Sequence, residues 1–509
     1  MKKGTLLIAG LLLAAAVVSC GETPATEPQS TEKVDGPSSE TESESVSETE
    51  AETEPATEEP DYRSWVVYTV YPEPDIPEDL DLSGKTFLLS VADRVESSFL
   101  PESLIGEIVN DAVYNRNLQT EEHFGIKFDA QIAYGNDANL TMIATAGLSE
   151  FDMVFGLGET LTGLTALGYA RDFTDIPYVD LSDEFWYPGL LDCFACFDRL
   201  FLMPSDMSQD VLAEATVTFF NKRLLAEYDL ESPYQMVYDN TWTLDNFLTM
   251  ARQVSKDLNG DGMMGEDDQY GVGLHDGRIL GTFMHLMLGC DVRLSSKDED
   301  GAVLLDPDGE KIQRIIDKTA EVLKDRSISF DNDGWSRANL PKDFYYTPFF
   351  DNGQILFQLD PLSVFPLGRR EMEDDFGIAP IPKYDSSQET YQHRPSVLTC
   401  LFCVPSTAPD LEKTGAVFSY MSWLSTQTVL PAFYEVTLKQ KRTRDEDSAA
   451  MLDLVRRSCY YEFVEIWTDI RNYLAISFDG GSYARVAGTA IKKMNKSLSR
   501  ILNKLQDVD

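Results

Sequence analysis

KTFLLSVADRVESSFLPESLIGEIVNDAVYNRNLQTEEHFGIKFDAQI, residues 85–132, holds a strand, a helix and a second strand in that order. The run at 85–92 is apolar and of strand length. Ile105, Ile108, Val109, Ala112, Val113 and Leu118 then recur at helical spacing, and 126–132 returns to strand. A helix near 138–146, a third strand at 151–155 and a helix around 161–167 extend the alternation. Such repetition predicts an α/β fold with a largely parallel sheet and helices on both faces.

The same grammar resumes downstream. A strand at 215–220 runs into Asn221 and Lys222 and a helix (KRLLAEYDL). Thr243 is the expected N-cap of the next helix, with Asp245 in its first turn and Phe247, Met250, Ala251 and Val254 on its inner face. Further helices are expected at 310–323, 411–424 and 490–505, and an apolar strand at 398–404. Ile491, Met494, Leu498, Ile501 and Leu505 form one stripe of the last helix, read as a core contact. No internal repeat is visible.

The start of the chain concerns location. Lys2 and Lys3 precede an apolar run at 6–18 that ends in Val17-Val18-Ser19-Cys20, too short for a permanent membrane span. A small residue before cysteine is the lipobox pattern, so residues 1–20 read as a lipoprotein signal peptide and Cys20 as the lipidated, membrane-anchoring residue. An ordinary cleaved signal with an incidental cysteine is the other reading. Residues 21–62 are Ser, Thr, Glu and Pro around a single Lys33, a composition expected to form a disordered, self-repelling tether. About 450 residues remain, enough for two lobes with separate cores.

With 42 Lys and Arg against 86 Asp and Glu, the formal charge is −44, which argues against nucleic acid or an anionic membrane surface as partners. Apart from Cys20, six cysteines remain, four of them as Cys193-x-x-Cys196 and Cys400-x-x-Cys403. Both pairs lie in apolar runs that read as buried strands, where residues three apart face opposite ways and cannot share a zinc ion. Free buried thiols are the default expectation, with a disulfide among the six as the alternative.

Asp257, Asn259 and Asp261, followed by Met263, Glu266 and Asp268, place oxygen donors at the spacing of a calcium loop, with Gly262 at the sharp turn. Position nine is Gly265, and the last position carries Asp268 in place of glutamate, so modest affinity and a structural role are expected. A metal-free turn with solvated carboxylates is the competing reading. No cofactor is required otherwise. His123, His275, His285 and His393 are scattered without metal spacing or a nucleophile motif, and no phosphate-binding glycine loop occurs, so no enzyme activity is expected.

NDAVYNRNLQTEEHFGI, FDMVF, FWYPGL, TVTFFNKRLL, WTLDNFLTMARQVSKDLNGDG, FDNGQILFQLDPL, DFGIAPIPKYD and LFCVPSTAPDLEKTGAVFSYMSWL follow one another in an order that resembles the extracellular solute-binding proteins of carbohydrate ABC importers, the class including maltose- and alginate-binding proteins. The resemblance covers residues 84–505. It implies a bilobal, periplasmic-binding-protein-like type II fold, with a first lobe from 84–208 and 400–436 and a second from 209–399 and 437–509. Crossings are expected near 204–216, 399–404 and 434–441. It implies capture of a small polar solute of the carbohydrate class by lobe closure and delivery to membrane permease subunits by a monomer. Aromatic faces and fixed polar groups suit sugar recognition. The candidate ligand residues are Asp93, Trp186, Tyr187, Asp206, Glu214, Trp335, Asp360 and Tyr483. A lipid-anchored carbohydrate-active enzyme and a ligand-sensing lipoprotein are the alternatives.

Overall fold

The computed structural model describes residues 70–92, 99–133, 151–274, 279–332, 335, 348–364, 372–396, 399–439, 446–462 and 464–506. The signal, Cys20, the tether, Asp93, His275 and the helix expected at 138–146 lie outside them. No described helix is long and apolar enough to cross a membrane.

The first sheet begins with β1 (Thr86–Ala92), β2 (Lys127–Ala133) and β3 (Met153–Leu157). β1 is central and parallel to both neighbours, pairing Phe87 with Phe128 and Val91 with Phe155. Parallel strands covered on both faces are apolar throughout, and β3 is buried along all but its last residue. Helices α1 (Ile108–Phe124) and α2 (Gly158–Ala166) follow β1 and β3, and α3 (Pro188–Phe194) precedes the exit from this lobe.

The second sheet contains β4 (Thr216–Asn221), β5 (Tyr270–Gly273), β8 (Ser329–Phe330), β9 (Ile355–Pro361) and β10 (Phe376–Ala379), in the order β10-β4-β9-β5-β8. β6 (Ser295–Lys297) and β7 (Val303–Leu305) form a separate hairpin. β5 runs parallel to β8 and β9, while β4 is antiparallel to β9 and β10. α4 (Leu244–Val254) lies against β5, with Thr243 accepting the Asn246 N–H as its cap, and α5 (Gly309–Leu323) packs on α4.

β11 (Cys400–Cys403) then returns to complete the first sheet, antiparallel to β3, with the Phe402 and Phe155 rings stacked at 4.4 Å. α6 (Leu411–Gln427) and α7 (Val429–Lys439) pack on α1. α8 (Glu446–Arg457) sits on β10, where Tyr234 and Ser448 hydroxyls meet at 2.7 Å. α9 (Ala484–Gln506) touches α5 and β7 as well as α2, so it spans both sheets' layers. Tyr434 is therefore helical, within α7, and the residues between α7 and α8 fall outside the description.

Two segments join the sheets and pair with each other. One leaves Met203, bridged to Phe402, and enters β4; the other leaves β10 and enters β11. Ala215 bridges Pro395, and the Ser396 N–H donates to the Glu214 carbonyl at 2.9 Å.

Two local expectations change. Ile105 precedes α1 and is exposed, as are Ile108 and Leu118 on it, and the inward face is Val113, Arg116, Asn117, Thr120 and Phe124. The reason is Arg116, fully buried, which donates to the Met207 carbonyl at 2.7 Å and the Ser425 hydroxyl at 2.8 Å. Burial lowers this guanidinium to about 9. Cys193 lies on α3 and not on a strand; Phe197 and Asp198 both take positive φ and turn the chain so that Cys196 bridges Arg199. Among the described residues no disulfide joins the six cysteines.

Candidate ligand site

Open α/β sheets receive ligands beyond the carboxyl ends of their strands. In the second sheet that edge carries polar side chains inside an otherwise apolar strand. Gln358 and Asp360 lie on β9, whose first six residues are all buried. The Asn332 Nδ2 donates to Gln358 Oε1 at 3.0 Å, and Gln358 Nε2 donates to Asp360 Oδ1 at 3.2 Å. Buried amides are costly unless bonded, and this ladder bonds Asn332 Nδ2 and both ends of the Gln358 amide in series, leaving Asn332 Oδ1 without a partner among the described residues. It fits only because Gly273 is opposite: a Cβ there would stand 1.9 Å from Gln358 Oε1. The result is a carboxylate held in one orientation at the end of its strand.

Glu214 and Asp360 belong to the same edge. Val217 is in register with Asp360 and Thr216 with Pro361, while the Leu362 N–H donates to the Ala215 carbonyl at 3.2 Å. Glu214 is half-buried where the two crossing segments meet. Thr216 Oγ1 lies 3.3 Å from His285 Nε2. Trp335, three residues beyond Asn332, stands edge-on to Phe349 with ring centroids 5.0 Å apart. In the first sheet, Gly158 follows β3 directly and its N–H donates to the Thr399 carbonyl at 3.0 Å, which ties the start of α2 to the second crossing. Asn332 and Gln358 were not among the sequence candidates, although a glutamine inside QILFQL is the available signal.

The other sequence candidates sit elsewhere. Trp186 is in the first lobe's core, stacked on Phe418 at 5.5 Å, with its indole N–H donating to the Asp180 carbonyl at 2.8 Å. Tyr187 and Asp206 are buried together: the phenol donates to Asp206 Oδ1, and Arg456 from α8 reaches Oδ2 at 2.5 Å. Burial, then the Asp206 charge, raises the Tyr187 phenol well above its ordinary value. Tyr483 is buried against the start of α5, where a Cβ on Gly309 would come within 2.6 Å of its ring, and burial raises its phenol to about 12.

In the acidic loop, Asp257 accepts the N–H groups of Gly260 and Gly262 at 2.7 and 2.8 Å, Asn259 accepts that of Asp261, and Asp261 accepts that of Met263. Asp268 is buried and accepts from Leu258 at 2.9 Å and Gly265 at 2.7 Å, which holds its carboxyl below the ordinary range. The Glu266 side chain is exposed and its carbonyl accepts from Gln354 Nε2. The donors are hard oxygens, the right chemistry for calcium, but the loop is already closed by its own amides. Among the described residues no three His, Cys, Asp or Glu side chains converge as a metal-binding group.

No protein-family model matches the chain, and no curated protein matches it in sequence. Among solved structures it is similar to a sugar transporter from Rhizobium etli in an open conformation, with 13% identity and a TM-score of 0.54 over 81% of this chain and 99% of that one. UspC from M. tuberculosis gives 12% identity and 0.51 over 81% and 100%. RafE from Streptococcus pneumoniae, in its apo form, gives 14% and 0.50 over 84% and 100%. Two sheets joined by paired crossing segments, and this likeness across nearly the whole of each of those chains, give the protein the two-lobed α/β fold of those structures.

Proposed function

We propose that the chain is the substrate-binding subunit of an ABC importer, capturing a neutral carbohydrate between its lobes and passing it unaltered to a membrane permease. The observation that carries this reading is the paired crossing at Ala215 and Pro395, which joins two separate sheets and places Glu214 and Asp360 at one edge. Fixed carboxylates accept sugar hydroxyls well, and contacts from both lobes stabilise the closed form. The likeness to the Rhizobium etli sugar transporter supports the ligand class. Cys20 as a lipid anchor and the acidic stretch after it as a spacer complete the reading, in which the folded part works outside the cell membrane.

The deciding experiment is a melting-temperature screen against neutral mono- and oligosaccharides, with chromatography of the recovered sugar. A rise of several degrees with the sugar returned intact is expected, since a ligand at a hundredfold excess over its Kd adds about 2.7 kcal/mol. Released product would overturn the reading in favour of an enzyme, and no rise with any saccharide would remove the ligand class. Labelling of cells with a tagged fatty acid is expected to mark the wild-type chain and not Cys20→Ala.

A further inference from the structure

A cavity of about 1180 Å³ opens where α3, the β6–β7 hairpin, residues 383–392 and the stretch after α8 come together. None of Glu214, Asn332, Gln358 or Asp360 lines it, so it is separate from the strand-end site. Its walls are fixed. Arg293 donates to Gln392 Oε1 at 3.0 Å and lies 4.0 Å from the Tyr460 ring centroid. The Leu294 N–H donates to Glu462 Oε1 at 2.9 Å, and the Phe194 and Tyr461 rings stack at 5.0 Å.

Apart from that of the exposed Glu389, the lining charges are matched. Lys297 pairs with Asp192 at 3.0 Å, Arg457 with Asp453 at 2.8 Å, and Arg293 with Asp291 at 3.2 Å. Lys383 donates to Asn240 and to the Gln388 carbonyl. Glu462 accepts from Leu294 and from the Ser295 hydroxyl at 3.0 Å, and burial pushes its carboxyl up to about 7. An anionic ligand would have to break such pairs and would face the Glu389 carboxylate as well. Tyr391 is different: its ring is buried on the cavity wall with Lys383 4.9 Å from its centroid, and its hydroxyl, closed off from solvent, has no partner among the described residues. Tyr238, Tyr460 and Tyr461 line the cavity as well, and tyrosine rings suit a neutral, polyhydroxylated ring compound. The volume is a little above the ~300–1,000 Å³ usual for small-molecule sites, enough for several sugar rings.

We infer that this cavity is a second saccharide site, bridging the first lobe through Gly189, Asp192 and Cys193 to the second through Arg293, Ser295 and Lys383. Because it touches chain on both sides of the crossing, its occupant favours one lobe arrangement and is coupled to binding at the strand-end site, reciprocally. Its ligand class rests on the proposed function; its existence does not.

Cys193 reports on it, being half-buried on the cavity wall while the other described cysteines are buried. Burial raises its thiol to about 11, so alkylation at alkaline pH is slow enough to follow by mass spectrometry. The full chain carrying Cys20→Ala would be treated with N-ethylmaleimide alone and with millimolar maltotriose, raffinose, mannotriose or glucuronate. At least one neutral saccharide is expected to slow Cys193 labelling about tenfold, as tenfold excess over Kd requires, and glucuronate is expected to leave it unchanged. Ser296→Trp, at an exposed position on the rim, is expected to abolish the slowing while keeping the saccharide-induced rise in melting temperature. Slowing that survives Ser296→Trp, or labelling indifferent to every saccharide, overturns the site. In the latter case a persisting rise in melting temperature leaves the proposed function standing, and its absence removes that as well.

Discussion

Arg456 of α8 holds the Asp206 carboxylate at 2.5 Å with both side chains buried, and its guanidinium lies 4.6 Å from the Tyr187 ring centroid. The contact joins residues 250 positions apart and fastens the start of the first crossing to a helix of the second lobe. Burial alone would pull the guanidinium down, but Asp206 outweighs it and keeps Arg456 charged.

Removing one partner strands the other charge in the interior. Asp206→Asn is expected to lose about 3–5 kcal/mol in urea unfolding, and Asp206→Leu combined with Arg456→Met to recover more than half of that, because an apolar pair leaves no uncompensated ion. A double variant no better than the single one would contradict this account.

Glu462 gives stability a pH slope. Its folded value of about 7 stands above that of an unfolded glutamate, so its contribution is fully present below about 4.5 and is lost as pH rises through 7. Glu462→Gln is therefore expected to be more stable than wild type at pH 8, by up to about 3 kcal/mol, and to lose that advantage at pH 4. Denaturant melts at the two pH values check it; a constant difference would refute it.

At the strand-end site, Asp360→Asn keeps the oxygen that Gln358 uses but drops the charge. Saccharide affinity is expected to fall about 10–100-fold by titration calorimetry, the worth of a charge-assisted hydrogen bond. Gln358→Met is expected to weaken binding too, through loss of Asp360's orientation. Unaltered affinity in both would move the ligand elsewhere.

The acidic loop is expected to stay folded in chelator, since Asp257 and Asp268 are bonded to its own amides. Calcium at about ten times a modest Kd is expected to raise stability by about 1.4 kcal/mol, and Asp261→Asn to cancel the rise. A melting temperature indifferent to calcium would assign the loop a purely metal-free role.

Much of the architecture was legible because it follows from short-range periodicity. β4, α4 with its Thr243 cap, α5 and α6 start within a residue or two of where spacing and capping predict them. The failures share a cause in distant partners. Nothing near Trp186 and Tyr187 announces that Phe418 and Arg456 will cover them. The polar inner face of α1 depends on Met207 and Ser425, and the run through Cys193 turns at two non-glycine residues with positive φ. The ladder at Asn332 and Gln358 is likewise invisible without the register that sets Gln358 beside Gly273.

β11 has a consequence for biosynthesis. The antiparallel partner of β3 comes from residues 400–403, so a nascent chain must be made as far as Cys403 before that edge is covered. Until then Val154 and Phe155 sit on an open border able to pair with another polypeptide, and chains that terminate early keep that border permanently. Prematurely ended products of this gene should therefore aggregate through the first lobe, however complete their opening βαβ unit is.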